Sequence, residues 1–442
     1  MMSMNSLVAL SLLTWTIFTE VESGSLNSRI NVSAGVLASS EIFDSSVNQW
    51  KATGSMATPR EYHTATLLNS DKVLVIGGEG FAGYMTSCEI YDPSTGQWDV
   101  IASMKTARAD HAAILLGSGK VLVAGGRGYS ESLINCEIYD PLTSKWHPTA
   151  NMSIARPHLT ATVLNSGKVL VTGSVASSEL YDPVTGHWQT PTRMATARSG
   201  HSATLLKSGK VLVTGGSDVG NYLTSSEIYD PSTDQWDTIS SMSTARSSHA
   251  AILLGSGKVL VTGGVGYSDF IATCELYDPS TGKWHNITSM TAERCYHTTT
   301  MLKSGKILAT AGYGYTGDLD SSEIYDPSTG QWNPSAKLAT TRSYHTATML
   351  TSGKVLVTGA SLFYIPIRFI LLNRIASLGH CLCSSSSSVI SLCLSLSSCS
   401  SELSTSISIV NLLTSPLSDS TSYVNENHRN DQSISDEICP PL

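Results

Sequence analysis

The chain has 442 residues, only 14% of them charged, and a net charge of −8. That balance excludes the clustered Lys and Arg that nucleic acid or an anionic membrane surface requires. Its 35 glycines, with plentiful Ser and Thr and few Phe, fit many short strands joined by tight turns.

Residues 1–23 form a candidate signal peptide. The apolar run at 7–18 is too short to span a bilayer, and Val21-Glu22-Ser23-Gly24 offers a small-residue cleavage site, although no Lys or Arg precedes the run. The competing reading is a gene-start artefact or a buried strand. A cleaved peptide implies a secreted protein, and a retained one a cytoplasmic protein. Asn31, Asn151 and Asn286 stand in Asn-X-Ser/Thr triplets, which a secreted chain would expose.

From residue 38 onward the chain repeats. Trp50, Trp98, Trp146, Trp188, Trp236, Trp284 and Trp332 are spaced by 48, 48, 42, 48, 48 and 48 residues. Each unit reads S-M-x-T-A-R-x-x-H-x-A-T-L-L-x-S-G-K-V-L-V-T-G-G, then a variable stretch, then S-S-E-I-Y-D-P-S-T-G-Q-W. In the unit around residue 200, the spacing predicts four strands. The first, at 201–206, is rich in Thr and apolar residues. The second, at 210–214, is a Val/Leu run suited to burial on both faces, and Gly215-Gly216 ends it. The third, at 227–230, ends at an Asp-Pro turn, and the fourth carries the Trp. A four-stranded unit covers both faces only by stacking on its neighbours around a ring. This predicts an all-β fold, a β-propeller with four antiparallel strands per blade.

Seven of each strand are present. First strands are marked by His63, His111, His158, His201, His249, His297 and His345, and third strands by Glu41, Glu89, Glu137, Glu179, Glu227, Glu275 and Glu323. The series begins on a third strand and ends on a second strand. Six blades are contiguous. A seventh would join the N-terminal half-unit (39–50) to the C-terminal one (345–360), removing open sheet edges. Six blades with frayed half-units is the alternative.

The double glycine, Tyr and Trp at fixed intervals resemble the kelch repeat across residues 38–360. The resemblance implies a seven-bladed propeller with the first strand innermost at a central channel. It also implies a binding role, because kelch propellers commonly recognise proteins or peptides through the loops at one mouth.

The pattern breaks twice. In the third unit Gly173-Ser174 replaces the double glycine and the following loop is short, so this blade should carry a stub. After residue 360 the repeat stops. Residues 361–442 form a Ser-rich low-complexity tail, expected to be disordered or to be translated intron or shifted frame; sequencing the transcript decides between them. The 11-residue apolar run at 362–372 contains Pro366 and Arg368, a poor membrane span. Cys88, Cys136 and Cys274 share one repeat position and read as small buried residues. With no CxxC pair, a zinc site is not expected.

Two sets of residues are candidates for binding. Arg60, Arg108, Arg156, Arg198, Arg246, Arg294 and Arg342 precede the first strands. They would ring a channel mouth as an anion or acidic-peptide site, or pair with a repeated carboxylate such as the third-strand Glu. The variable loops differ while all else is held, and they carry Tyr84, Tyr129, Tyr222, Tyr267 and Tyr315. Tyr gives large contact area with few torsions, although Gly and Tyr would also simply shape the loop. The histidines would be spread too widely for one metal and are expected to bond neighbouring backbone.

The expected function is recognition of a protein or glycan by a monomeric, non-catalytic propeller without cofactor or metal. The alternative is a secreted oxidase, since the repeats are also similar to the central domain of galactose oxidase. That resemblance would require a Tyr cross-linked to Cys and His ligands at unique copper-binding positions.

Overall fold

The computed structural model describes residues 35–129, 131–267 and 269–359. The candidate signal peptide, Asn31, Ala360 and the Ser-rich tail lie outside the described residues. Every element in the described residues is a strand, and the seven main sheets each hold four antiparallel strands. Among these residues no helix is long and apolar enough to cross a membrane.

Blade 4 shows how the sequence produces the unit. Its strands run Ser202–Leu205, Val211–Thr214, Ser226–Asp230 and Gln235–Ile239, from channel to rim. Val213 pairs with Ala203 on one side and Glu227 on the other. The second strand is buried along its whole length, as its unbroken Val/Leu/Thr composition requires. The outer strand alternates, with Trp236 turned inward onto Tyr229 at a centroid distance of 5.1 Å. The aromatic stack recurs in every blade, with Phe43 replacing Tyr beside Trp50.

Blade 7 is built from both ends of the repeat region. Thr346–Met349 and Val355–Thr358 are its inner strands, and Ser40–Asp44 and Gln49–Thr53 its outer ones. Glu41 pairs with Val357 in the register that Glu227 keeps with Val213. The inner strands of blades 1 to 7 adjoin in sequence, and blade 7 adjoins blade 1, so the ring is closed.

Contacts between blades occur at three depths. Near the channel, His111 Nε2 lies 2.8 Å from Thr64 Oγ1 of the preceding blade. Further out, the Gly78 amide donates to the Arg108 carbonyl at 2.8 Å. At the rim, Trp98 Nε1 donates to the Gly54 carbonyl at 2.9 Å. The double glycine serves the middle contact. Gly77 and Gly78 have φ of 55° and 99°, and a Cβ on Gly78 would lie 2.6 Å from the Glu61 carbonyl oxygen. In blade 3, the turn at Ser174 joins Val169–Gly173 directly to Val175–Asp182, the expected stub.

Candidate functional site

The repeated arginines lie inside the blades. All seven side chains, Arg60 through Arg342, are 0% exposed. Each pairs with the third-strand Glu of its own blade: Arg60–Glu89 at 2.7 Å, Arg108–Glu137 at 3.2 Å, Arg156–Glu179 at 3.2 Å, Arg198–Glu227, Arg246–Glu275 and Arg294–Glu323 at 2.9 Å, and Arg342–Glu41 at 2.8 Å. In blade 1, Arg60 also donates to the Gly77 and Ser87 carbonyls, while Glu89 accepts the Ala57 and Thr58 amides. One ion pair thus binds the lead-in loop, the glycine turn and the third strand together. This is the repeated-carboxylate reading, and it leaves these guanidinium groups no surface at the mouth.

The histidines join blades through side chains. Nε2 of His63, His111, His201, His249, His297 and His345 each lies 2.8–3.1 Å from a Thr or Ser hydroxyl of the preceding blade. Burial drives the His63, His201, His249 and His345 imidazoles down to about 3 and keeps them neutral. His158 is a correction. The inner-strand position three residues after Arg156 is Leu159, which is buried, and His158 sits one residue earlier with φ of 50° and its side chain 45% exposed.

That earlier position defines the site. Tyr62, Asp110, His158, Gly200, Ser248, Tyr296 and Tyr344 all have positive φ, between 50° and 64°, one residue before the inner-strand position. All seven line the channel mouth. Adjacent members are joined by main-chain bonds, such as the Ser248 amide to the Gly200 carbonyl at 2.8 Å and the Tyr296 amide to the Ser248 carbonyl at 3.1 Å.

The ring is unequal. Tyr296 and Tyr344 stack with centroids 3.9 Å apart, and Tyr62 packs on Tyr344 at 4.4 Å. Burial pushes the Tyr62 and Tyr344 phenols above their ordinary range, so both remain neutral donors. Beside them Arg127 lies over the Tyr62 ring at 5.1 Å and reaches Asp110 at 2.6 Å, while His158 Nδ1 is 3.4 Å from the same carboxylate. Blades 4 and 5 contribute only Gly200 and Ser248. A cavity of about 430 Å³ opens here, lined by all seven ring positions together with His201, His249, Ser199, Ser217 and Ser247.

Around this mouth stand the variable segments. Four are two-stranded hairpins: Glu79–Gly80 with Gly83–Tyr84, Ser217–Asp218 with Asn221–Tyr222, Val265–Gly266 with Asp269–Phe270, and Tyr313–Gly314 with Gly317–Asp318. Among the described residues of the blade 2 segment, an Arg127–Ser132 bridge takes the place of the hairpin. Bridges such as Ser199–Ser217 fasten each hairpin base beside the ring. Tyr129, Tyr267 and Tyr315 are 70%, 68% and 60% exposed, whereas Tyr84 and Tyr222 are half-buried beneath their neighbours. Tyr129 meets Tyr84 edge-on at 5.4 Å and donates to its carbonyl at 2.9 Å; Tyr267 meets Tyr222 at 5.3 Å.

Among the described residues no group of three or more His, Cys, Asp or Glu is placed to hold a metal ion. Cys88, Cys136, Cys274 and Cys295 are buried, free thiols. Burial pushes the first three up to about 11. The other inner histidines are engaged between blades, and the His158 side chain is 45% exposed.

Fold and site together define a closed seven-bladed propeller with a hairpin-rimmed mouth. The family model described as the KLHDC2/KLHL20/DRC7 Kelch-repeats domain matches residues 160–360, and the Kelch motif matches residues 60–105 and 108–153. The chain is a kelch-repeat β-propeller. A solved structure of a fungal alcohol oxidase of the AA5 family, in complex with copper, is similar at 20% identity and a TM-score of 0.58, covering 70% of this chain and 72% of that one. The structure of YjhT is similar at 16% identity and a TM-score of 0.51, covering 63% of this chain and 98% of that one. These likenesses concern the fold alone. No curated protein matches the chain.

Proposed function

We propose that this propeller is a secreted, monomeric and non-catalytic recognition module that docks a partner protein or glycan on its hairpin face. The supporting observation is the set of exposed apolar side chains raised there: Phe81, Tyr129, Val219, Tyr267 and Tyr315, all at least 60% exposed. They stand on segments fastened to a rigid ring, where recognition surfaces are usually placed.

Partner capture by three forms of the chain tests this reading. The wild type is compared with Tyr129→Ser/Tyr267→Ser/Tyr315→Ser and with Leu142→Ser/Val184→Ser, whose residues lie on turns at the opposite ends of the sheets. A partner retained by the second variant and lost by the first supports hairpin docking. The reverse result sinks it. The secreted assignment is tested by mass spectrometry of native protein. A mature N-terminus near residue 24 and glycan on the exposed Asn151 or Asn286 support it, and a retained Met1 without glycan overturns it.

A further inference from the structure

The mouth cavity is lined by seven ring residues of unequal size in an otherwise symmetric repeat, and its surroundings carry a chemical bias. The hairpins and ring positions contribute Glu79, Asp110, Glu131, Asp218, Asp269 and Asp318, against Arg127 as their single Lys or Arg among the described residues. Part of the cavity wall is aromatic, formed by the stacked Tyr296 and Tyr344 with Tyr62 packed on Tyr344, and Asp110 and His158 also line it. An aromatic face with surplus negative charge attracts a cation twice, through the ring quadrupole and through the field of the carboxylates.

The molecule already shows one such occupant. The Arg127 guanidinium lies 5.1 Å from the Tyr62 centroid and 2.6 Å from Asp110. It uses one tyrosine and two acids, Asp110 and Glu79, on the blade 1–2 side. Tyr296 and Tyr344 still face the open volume, which at about 430 Å³ exceeds what one long side chain fills.

We propose that this mouth cavity receives a basic side chain, the guanidinium or ammonium group of an Arg or Lys on the docked partner. The inference rests on the reading of the hairpin face as a docking surface and names the partner's chemistry there. The hairpin apolars grip the partner around the mouth, and the cation enters beside Tyr296, with the Ser199, Ser217 and Ser247 hydroxyls at the cavity edge available to accept its N–H groups.

The test is isothermal titration of the full chain with acetyl-Arg-Gly-Arg-amide, against the same peptide carrying citrulline in place of Arg and against a neutral N-acetylhexosamine. Ser248→Tyr closes the cavity with the side chain that blades 6 and 7 already hold at the same backbone angle. Tyr296→Ser opens it with the residue blade 5 already uses. Thermal unfolding close to wild type shows that each variant is folded. The proposal expects the Arg peptide to bind, citrulline to weaken it about tenfold, Tyr296→Ser to weaken it by a similar factor, and Ser248→Tyr to abolish it. Arg-peptide binding unchanged in Ser248→Tyr removes the cavity from the interaction. Saturation by the neutral sugar without the cation overturns the chemical class. Binding of neither probe overturns the proposal, while the docking surface is judged separately by partner capture with the hairpin variants.

Discussion

Arg342 and Glu41 form a 2.8 Å ion pair across 301 residues of sequence, and neither side chain is appreciably exposed. Arg342 also donates to the Ser39 and Gly359 carbonyls, so one guanidinium holds both halves of blade 7. Glu41→Ala leaves that charge buried without its counter-ion. The expected loss is about 3–5 kcal/mol, read by denaturant unfolding. Glu41→Gln, which keeps the shape and an acceptor, should lose less.

Stability should fall steeply with acid. His63, His201, His249 and His345 are held neutral, with values near 3, and His111 and His297 lie well below the ordinary value for the same reason, burial. Below the unfolded value near 6.5 the unfolded chain binds protons that the folded chain refuses. The stabilisation is therefore complete above that pH and declines as pH falls toward 3. Each histidine contributes up to about 1.4 kcal/mol per pH unit within the window. Thermal unfolding from pH 7.5 to 4.5 measures the slope, and His249→Gln should reduce it by about one proton.

In blade 5, glycine at the first position of the double-glycine turn is a steric requirement. A Cβ on Gly263 would collide with the Arg294 carbonyl and approach the Met290 methyl at 3.2 Å, at a φ of 60°. Gly263→Ala should destabilise by about 2–3 kcal/mol. Blade 6 places Ala311 at this position with φ of 52°, and its neighbour in the next blade is Leu338 instead of Met. The double change Gly263→Ala/Met290→Leu should recover part of the loss, which a double-mutant cycle in urea would quantify.

Tyr129 separates a binding role from a structural one. It is 70% exposed, and its internal contacts are Tyr84 and the Ala82 and Tyr84 carbonyls. Tyr129→Ala should change folding stability by less than about 1 kcal/mol, yet weaken a hairpin-docked partner by about 2 kcal/mol. A larger stability loss with unchanged partner affinity would assign the ring to shaping the loop.

The blade count and the shared seventh blade were legible because they rest on side chains that every unit must repeat: the Trp at the rim, the glycines beside the next Arg carbonyl, and the Glu that neutralises the Arg. The same regularity hid the mouth. Tyr62, Asp110, Gly200, Ser248, Tyr296 and Tyr344 differ from unit to unit, so a consensus discards them, although variation beside a fixed His was itself a signal. His158 misled because its identity matched the consensus while its spacing from Arg156 did not. Backbone geometry follows spacing, and Leu159 fills the inner-strand position. The ring-to-hairpin bridges join residues about 18 apart, such as Ser199 and Ser217, and depend on a blade geometry that periodicity alone does not give.

Gly200 and Ser248 show how a nearly uniform ring acquires an individual site, by omission instead of addition. The seven positions share one backbone angle, and their occupants range from glycine to tyrosine without disturbing the blades. Exchanging the residues at positions 200 and 296 would leave the small pair at 248 and 296, moving the opening by one seventh of a turn and placing it under a different pair of hairpins. Such a molecule works as a dial: its scaffold stays fixed while the pairing of cavity and rim is reset, so one gene duplicated several times would yield distinct receptors from a handful of substitutions at a single repeat position.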